Sequence, residues 1–99
     1  LTFSVANDVS GANAASDILL DGTPLLYGDA FANTALDRNG AIIATSAQLT
    51  TIVPGVLCVV LDAAGGQVGL LNEQRTFLEL DRVAGQAVET DVGGFVMSC

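Results

Sequence analysis

Turn-forming dipeptides recur along this chain at intervals too short for long helices. Asp21-Gly22, Asn39-Gly40, Pro54-Gly55 and Gly65-Gly66 each bend the backbone tightly, because Gly and Asn adopt positive φ at little cost and Pro presets its own φ. The stretches between them alternate apolar and polar residues or run apolar throughout, which is the pattern of strands. The expected fold is all-β and mainly antiparallel: a compact β-sandwich or small barrel of about seven or eight short strands, with room for one short helix.

Residues 2–6 alternate, with Phe3 and Val5 on one side, and read as an opening strand. Residues 7–17 are rich in Asn, Asp, Ser, Gly and Ala and read as a loop with at most one helical turn. Residues 18–20 and 25–27 flank Asp21-Gly22-Thr23-Pro24 and are expected to pair as a hairpin. Between 29 and 39 two readings compete. Asp29 caps a short helix carrying Phe31, Ala35 and Leu36 and ended by Gly40, or irregular chain enters a hairpin at Asn39-Gly40 with strands near 34–37 and 41–45. The hairpin is favoured. Residues 48–53 stay β-rich as far as Pro54-Gly55. Residues 56–62 are almost wholly apolar and are expected to form a central strand covered on both faces, turning through 63–66 into 67–71. In residues 75–81, Thr76, Leu78 and Leu80 alternate with Phe77, Glu79 and Asp81. The last strand, 95–99, puts Phe95, Met97 and Cys99 on one face.

The two cysteines, Cys58 and Cys99, sit on two of these strands. Cys58 shares its face with Val56 and Val60, so both sulfurs point toward apolar neighbours and a core disulfide is sterically sensible. It would tie a fraying end to the core. Closing a loop of about 40 residues removes unfolded-state entropy worth about 4 kcal/mol in the chain-entropy model. A disulfide suits an oxidising, extracellular setting. The other readings are two unpaired thiols, or a metal held by two Cys without His.

At 99 residues with 51% hydrophobic content, the chain is expected to form one domain, 1–99, with enough apolar surface for a core. It opens at Leu1 without an initiator Met, as a mature product would after loss of a signal peptide and as a trimmed piece equally would. The longest uncharged run, 39–61, is long enough to span a bilayer by count. Its polar residues and two turn signals instead read as strands, and no membrane anchor is expected.

Charge narrows the partners. Eleven acidic residues face three cations, Arg38, Arg75 and Arg82, with no Lys and no His, for a formal net charge of −8. Binding nucleic acid or anionic lipid requires clustered cations, so neither is expected as a partner. The acidity reads first as a device for solubility. Arg75 and Arg82 are expected to pair with Glu73, Glu79 or Asp81 at the surface.

The same inventory removes most chemistry. Without His or Lys, imidazole and amine bases are missing, and neither a Ser–His–Asp nor a Cys–His site can be assembled. Gly65-Gly66 and Gly93-Gly94 lack the following Lys and helix of a phosphate loop. A carboxylate pair could serve a small acidic hydrolase, but there is no Trp and a single Tyr to stack a sugar. Asp37-Arg38-Asn39-Gly40 echoes the start of a calcium loop, yet Ala41, Ile42 and Ile43 follow it as a strand would, so the turn reading prevails. No Asn-x-Ser/Thr acceptor for N-glycosylation is present. No enzyme activity, cofactor or metal is expected. Asn72, Gln74 and Arg75 beside Phe77 form a candidate polar recognition patch.

Several stretches together carry a likeness: Phe3-Ser4-Val5-Ala6-Asn7-Asp8, Ser10-Gly11-Ala12-Asn13-Ala14-Ala15, Ala35-Leu36-Asp37 and Ile42-Ile43-Ala44-Thr45-Ser46-Ala47-Gln48-Leu49. Thr76-Phe77-Leu78-Glu79-Leu80-Asp81 and the closing Gly94-Phe95 with Cys99 belong to it as well. The chain resembles small secreted proteins of filamentous ascomycete fungi over most of its length. That resemblance implies secretion and a role at the host or cell-wall interface, and transfers no functional residue. The leading reading is an effector-like interaction protein, monomeric or weakly dimeric, that binds a protein or cell-wall polysaccharide through its surface. The alternatives are a carbohydrate- or cell-wall-associated structural module and a small acidic hydrolase.

Overall fold

Alternation decides the opening element. In β1 (Thr2–Ala6) Phe3 and Val5 are fully buried while their neighbours are half-exposed, because successive side chains of a strand point to opposite faces. The structure is a computed structural model that describes residues 1–81 and 88–99. After β1 come β2 (Asn13–Asp17), β3 (Leu25–Leu26), the single-turn helix α1 (Tyr27–Ala30), β4 (Asp37–Arg38), β5 (Ala41–Ala44) and β6 (Ser46–Leu49). Next follow β7 (Leu57–Leu61), β8 (Gln67–Asn72), β9 (Phe77–Glu79), β10 (Thr90–Asp91) and β11 (Val96–Ser98).

These strands form three sheets, ordered β2-β1-β6-β9, β10-β5-β4 and β3-β11-β7-β8, in which every pairing is antiparallel. The all-β, antiparallel expectation holds. The described residues contain eleven strands, more than expected, because β3, β4 and β10 are two-residue ladders. Elements so short are defined by the partner they pair with, and no local pattern announces them.

The favoured hairpin at Asn39-Gly40 is present, but its first strand is the two-residue β4, Asp37–Arg38, and not 34–37. Asn39 and Gly40 have φ of 56° and 90°, the pair of left-handed residues that a two-residue type I′ connection requires. Asp37 closes the turn by accepting the Gly40 N–H at 2.8 Å. The helix lies earlier than Asp29 would cap it and is a single turn.

Three expectations need correction. Residues 7–17 are not all loop, since 13–17 form β2, paired with β1 from Thr2↔Asp17 to Ala6↔Asn13. Its Ala and Ser residues show no large-apolar alternation, and β1 supplies the ladder instead. Asp21-Gly22 does turn the chain, with Gly22 at φ 85°, but its flanks do not pair with each other. Ile18 donates to Leu1, while Leu25 and Leu26 pair with Met97 and Val96 of β11. Turn chemistry fixes the bend, and the more distant apolar strand takes the ladder. Finally, β7 is an interior strand as expected, yet only one face is sealed: Cys58 and Val60 are fully buried and Leu57 is 52% exposed.

The core is organised by aromatic rings. Phe3, Tyr27 and Phe31 contact one another with centroids 5.8, 5.7 and 5.6 Å apart, and Phe95 lies 6.4 Å from Tyr27. The first and third sheets meet where β8 passes into β9. There Leu78 of β9 packs over Gly69 of β8, occupying the space a Cβ at Gly69 would need.

Candidate functional site

The turn linking β8 to β9 is built by Asn72. Its N–H donates to the Arg75 carbonyl at 2.8 Å and the Arg75 N–H returns to the Asn72 carbonyl at 3.2 Å. The Asn72 Oδ1 accepts the N–H groups of Gln74 and Arg75 at 2.9 and 2.7 Å, a side chain mimicking backbone in an Asx turn. Asn72 therefore spends its acceptor on the turn, and what it presents outward are Gln74 and Arg75, both exposed. Beyond them Phe77 is 48% exposed and lines a shallow depression of about 310 Å³ with Arg75, Leu78 and Glu79. The four patch residues lie at one turn and the strand it feeds.

On the other side of this turn lies a groove the sequence did not disclose. Leu57 is the cross-strand neighbour of Asn72, and it lines a depression of about 360 Å³ with Leu20, Val53, Pro54, Gly55, Val56 and Cys99. Glu73 bridges toward it, accepting the Gly55 N–H at 3.4 Å. Leu20 and Leu57 are 49% and 52% exposed. Leu57 stands in an apolar run that reads as core throughout, and Leu20 beside a turn reads as hairpin, so no local signal marked either.

Cys58 and Cys99 are bonded, with Cα atoms 4.1 Å apart. The register pairs Ser98 with Val59, which sets Cys99 opposite Cys58 on the next rung. Cys58 is fully buried, whereas Cys99 is half-exposed and forms part of the groove wall.

Charge is arranged differently from expectation. Among the described residues the ion pair is Arg38 to Glu89, 2.8 Å, and Arg75 has no carboxylate within pairing distance. The expected pairing of Arg82 lies outside the described residues. The Arg38–Glu89 pair spans 51 positions, beyond the reach of local spacing. The same Glu89 oxygen accepts the Nδ2 of the buried Asn7 at 2.7 Å, while Asn7 Oδ1 takes the N–H groups of Val9 and Ser10. Asp37 accepts from the Asn33 and Gly40 N–H groups, each at 2.8 Å, so its carboxylate organises the hairpin. Among the described residues no three His, Cys, Asp or Glu side chains converge as metal ligands, and no helix is long and apolar enough to cross a membrane.

These contacts set the response to acid. The Asn7 amide, followed by Arg38, holds Glu89 below the usual carboxylate range. The Asn33 and Gly40 N–H groups do the same for Asp37, and Thr23 does so for Asp21. A carboxylate whose folded pKa is depressed adds stability that is complete above its unfolded pKa and is lost as pH falls through the folded one. Unfolded Asp and Glu titrate near pH 4, and the chain has no His. The melting temperature should therefore stay flat from about pH 8 to 6 and fall only below about pH 4. Thermal melts across that range check this, and a sharp loss between pH 6 and 5 would contradict it.

Compared with models of protein families, with curated proteins and with solved structures, the chain finds no match.

Proposed function

We propose that this chain is a secreted, non-catalytic binding domain that docks a partner protein through the end of the molecule divided by the 72–75 turn. The observation that carries this reading is the clustering of solvent-exposed Leu20 and Leu57 on one side of the turn, with Phe77 on the other. Exposed apolar side chains set among polar ones are what a protein partner buries at an interface. The likeness to small secreted fungal proteins directs the search for that partner to the host or cell-wall interface. A carbohydrate-binding role is less well served. Phe3, Tyr27, Phe31 and Phe95 are buried, so sugar stacking would rest on Phe77 alone.

The test uses the pure protein as bait in plant apoplastic fluid and in fungal wall extract. Wild type is compared with Leu57→Asp and Phe77→Ser, and with Val9→Ser as an exposed control elsewhere. Circular dichroism confirms that each variant is folded. A protein retained by wild type should be held at least about thirtyfold more weakly by Leu57→Asp, the scale of a lost interface hot spot, with Val9→Ser unchanged. Equal retention by all variants would dismiss this surface as the docking site.

A further inference from the structure

The first sheet ends at β2, which among the described residues pairs only with β1. Its ladder bonds continue the alternation set by Asn7 N–H to Ala12 and Ile18 N–H to Leu1. In such an antiparallel pair alternate residues direct their backbone groups to the neighbour, so Ala14 and Ser16 face β1. The N–H and C=O groups of Asn13, Ala15 and Asp17 face away. Natural edge strands are usually blunted by Lys, Pro, a bulge or bulky cover. β2 carries none of these, and its one charge, Asp17, lies at its end with one carboxylate oxygen accepting the Thr2 hydroxyl at 2.7 Å. Its sequence is Asn-Ala-Ala-Ser-Asp, its register with β1 is unbroken, and its outward side chains at 13, 15 and 17 are short and exposed. The Ser16 hydroxyl bonds the Asp17 carbonyl at 3.3 Å, and that oxygen keeps a second lone pair for another donor.

We propose that β2 joins antiparallel to β2 of a second copy, with Ala15 on the twofold axis. The occupant follows from the strand's own register. Centring the pair on Ala15 makes Ala15 exchange both backbone bonds with its counterpart, and sets Asn13 of each copy opposite Asp17 of the other. A twofold contact must be self-complementary, and this one opposes each carboxylate with an amide instead of a like charge. The four-stranded sheet then runs continuously through both copies. Each copy carries a charge of −8, so mutual repulsion opposes the contact and screening favours it.

Sedimentation velocity on the intact, disulfide-bonded protein tests this over a roughly thousandfold concentration range. Measurements are made at low salt and at about 1 M sodium chloride, where the screening length is ~3 Å. A monomer–dimer equilibrium that tightens with salt is expected. Asn13→Asp opposes two like-charged pairs and should weaken the dimer about tenfold, while Asn13→Lys should tighten it by a similar factor at low salt. Ala15→Pro should abolish it without unfolding the domain, since the lost N–H points away from β1 and edge strands tolerate Pro. Should Ala15→Pro fail to fold, the opposed effects of the two Asn13 variants decide. A monomer under every condition, or a dimer indifferent to the Asn13 variants, would overturn the proposal.

Discussion

Replacing both Cys58 and Cys99 with Ala should lower the free energy of unfolding by about 4 kcal/mol. The bond joins residues 41 apart, and that is the entropy a closed loop of this length withholds from the unfolded chain. For a domain near 100 residues the melting temperature should drop by roughly 15–30 °C. The loss is large against the 5–15 kcal/mol that typically separates folded from unfolded states (about that range for small domains). The location sharpens the expectation. β11 lies between β3 and β7 in its sheet, so the bond fastens an interior strand, and an unfastened β11 exposes two neighbours at once. Denaturant titration of the double variant, alongside the reduced wild type, measures this. A midpoint unchanged within error would mean that the ladder alone holds β11.

Tyr27 separates two effects that usually travel together. Its ring is fully buried against Phe3, Phe31 and Phe95, so Tyr27→Ala should cost about 3–5 kcal/mol through lost burial and an unfilled cavity. The hydroxyl contributes differently. Among the described residues it donates to the sulfur of Met97 at 3.6 Å, a weak acceptor, and burial pushes the phenol well above its usual pKa. Tyr27→Phe removes a poorly satisfied buried group and should change stability by less than about 1 kcal/mol in either direction. A cost above about 2 kcal/mol for Tyr27→Phe would indicate that the hydroxyl is better served than its sulfur partner implies. Equilibrium unfolding of the two variants resolves the matter.

What could be read from the sequence was what neighbours in sequence determine. Phe3 and Val5 alternate because a strand does, Asn39-Gly40 turns because both residues accept positive φ, and Phe95, Met97 and Cys99 share a face by the same period of two. Readings failed where the partner strand, and no local pattern, made the decision. β2 is a strand because β1 lies beside it, and Leu25 and Leu26 join β11 instead of folding back across Asp21-Gly22. The candidate surface divides the same way. Asn72, Gln74, Arg75 and Phe77 are close in sequence and were found together. Leu20 and Leu57 meet at the groove only through tertiary packing, and an exposed Leu inside an apolar run is indistinguishable from a buried one. Arg38 was likewise overlooked as a paired cation, because Glu89, 51 positions away beside β10, reaches it across β5 of the same sheet.

The contact between Gly69 and Leu78 bears on how mutational data for this domain should be interpreted. Gly69 is half-exposed and touches neither the groove nor the Phe77 depression directly, so a scan scored by partner capture would give no reason to expect sensitivity there. Yet any side chain at that position must displace Leu78, the residue between Phe77 and Glu79 on the strand that lines the depression. Substitutions at 69 would thus register as lost affinity while acting through the Leu78 side chain, whose tip must move aside. A library that ranks positions by binding alone would place Gly69 among the contact residues. Scoring the same library for abundance would move it to the scaffold, where its chemistry belongs.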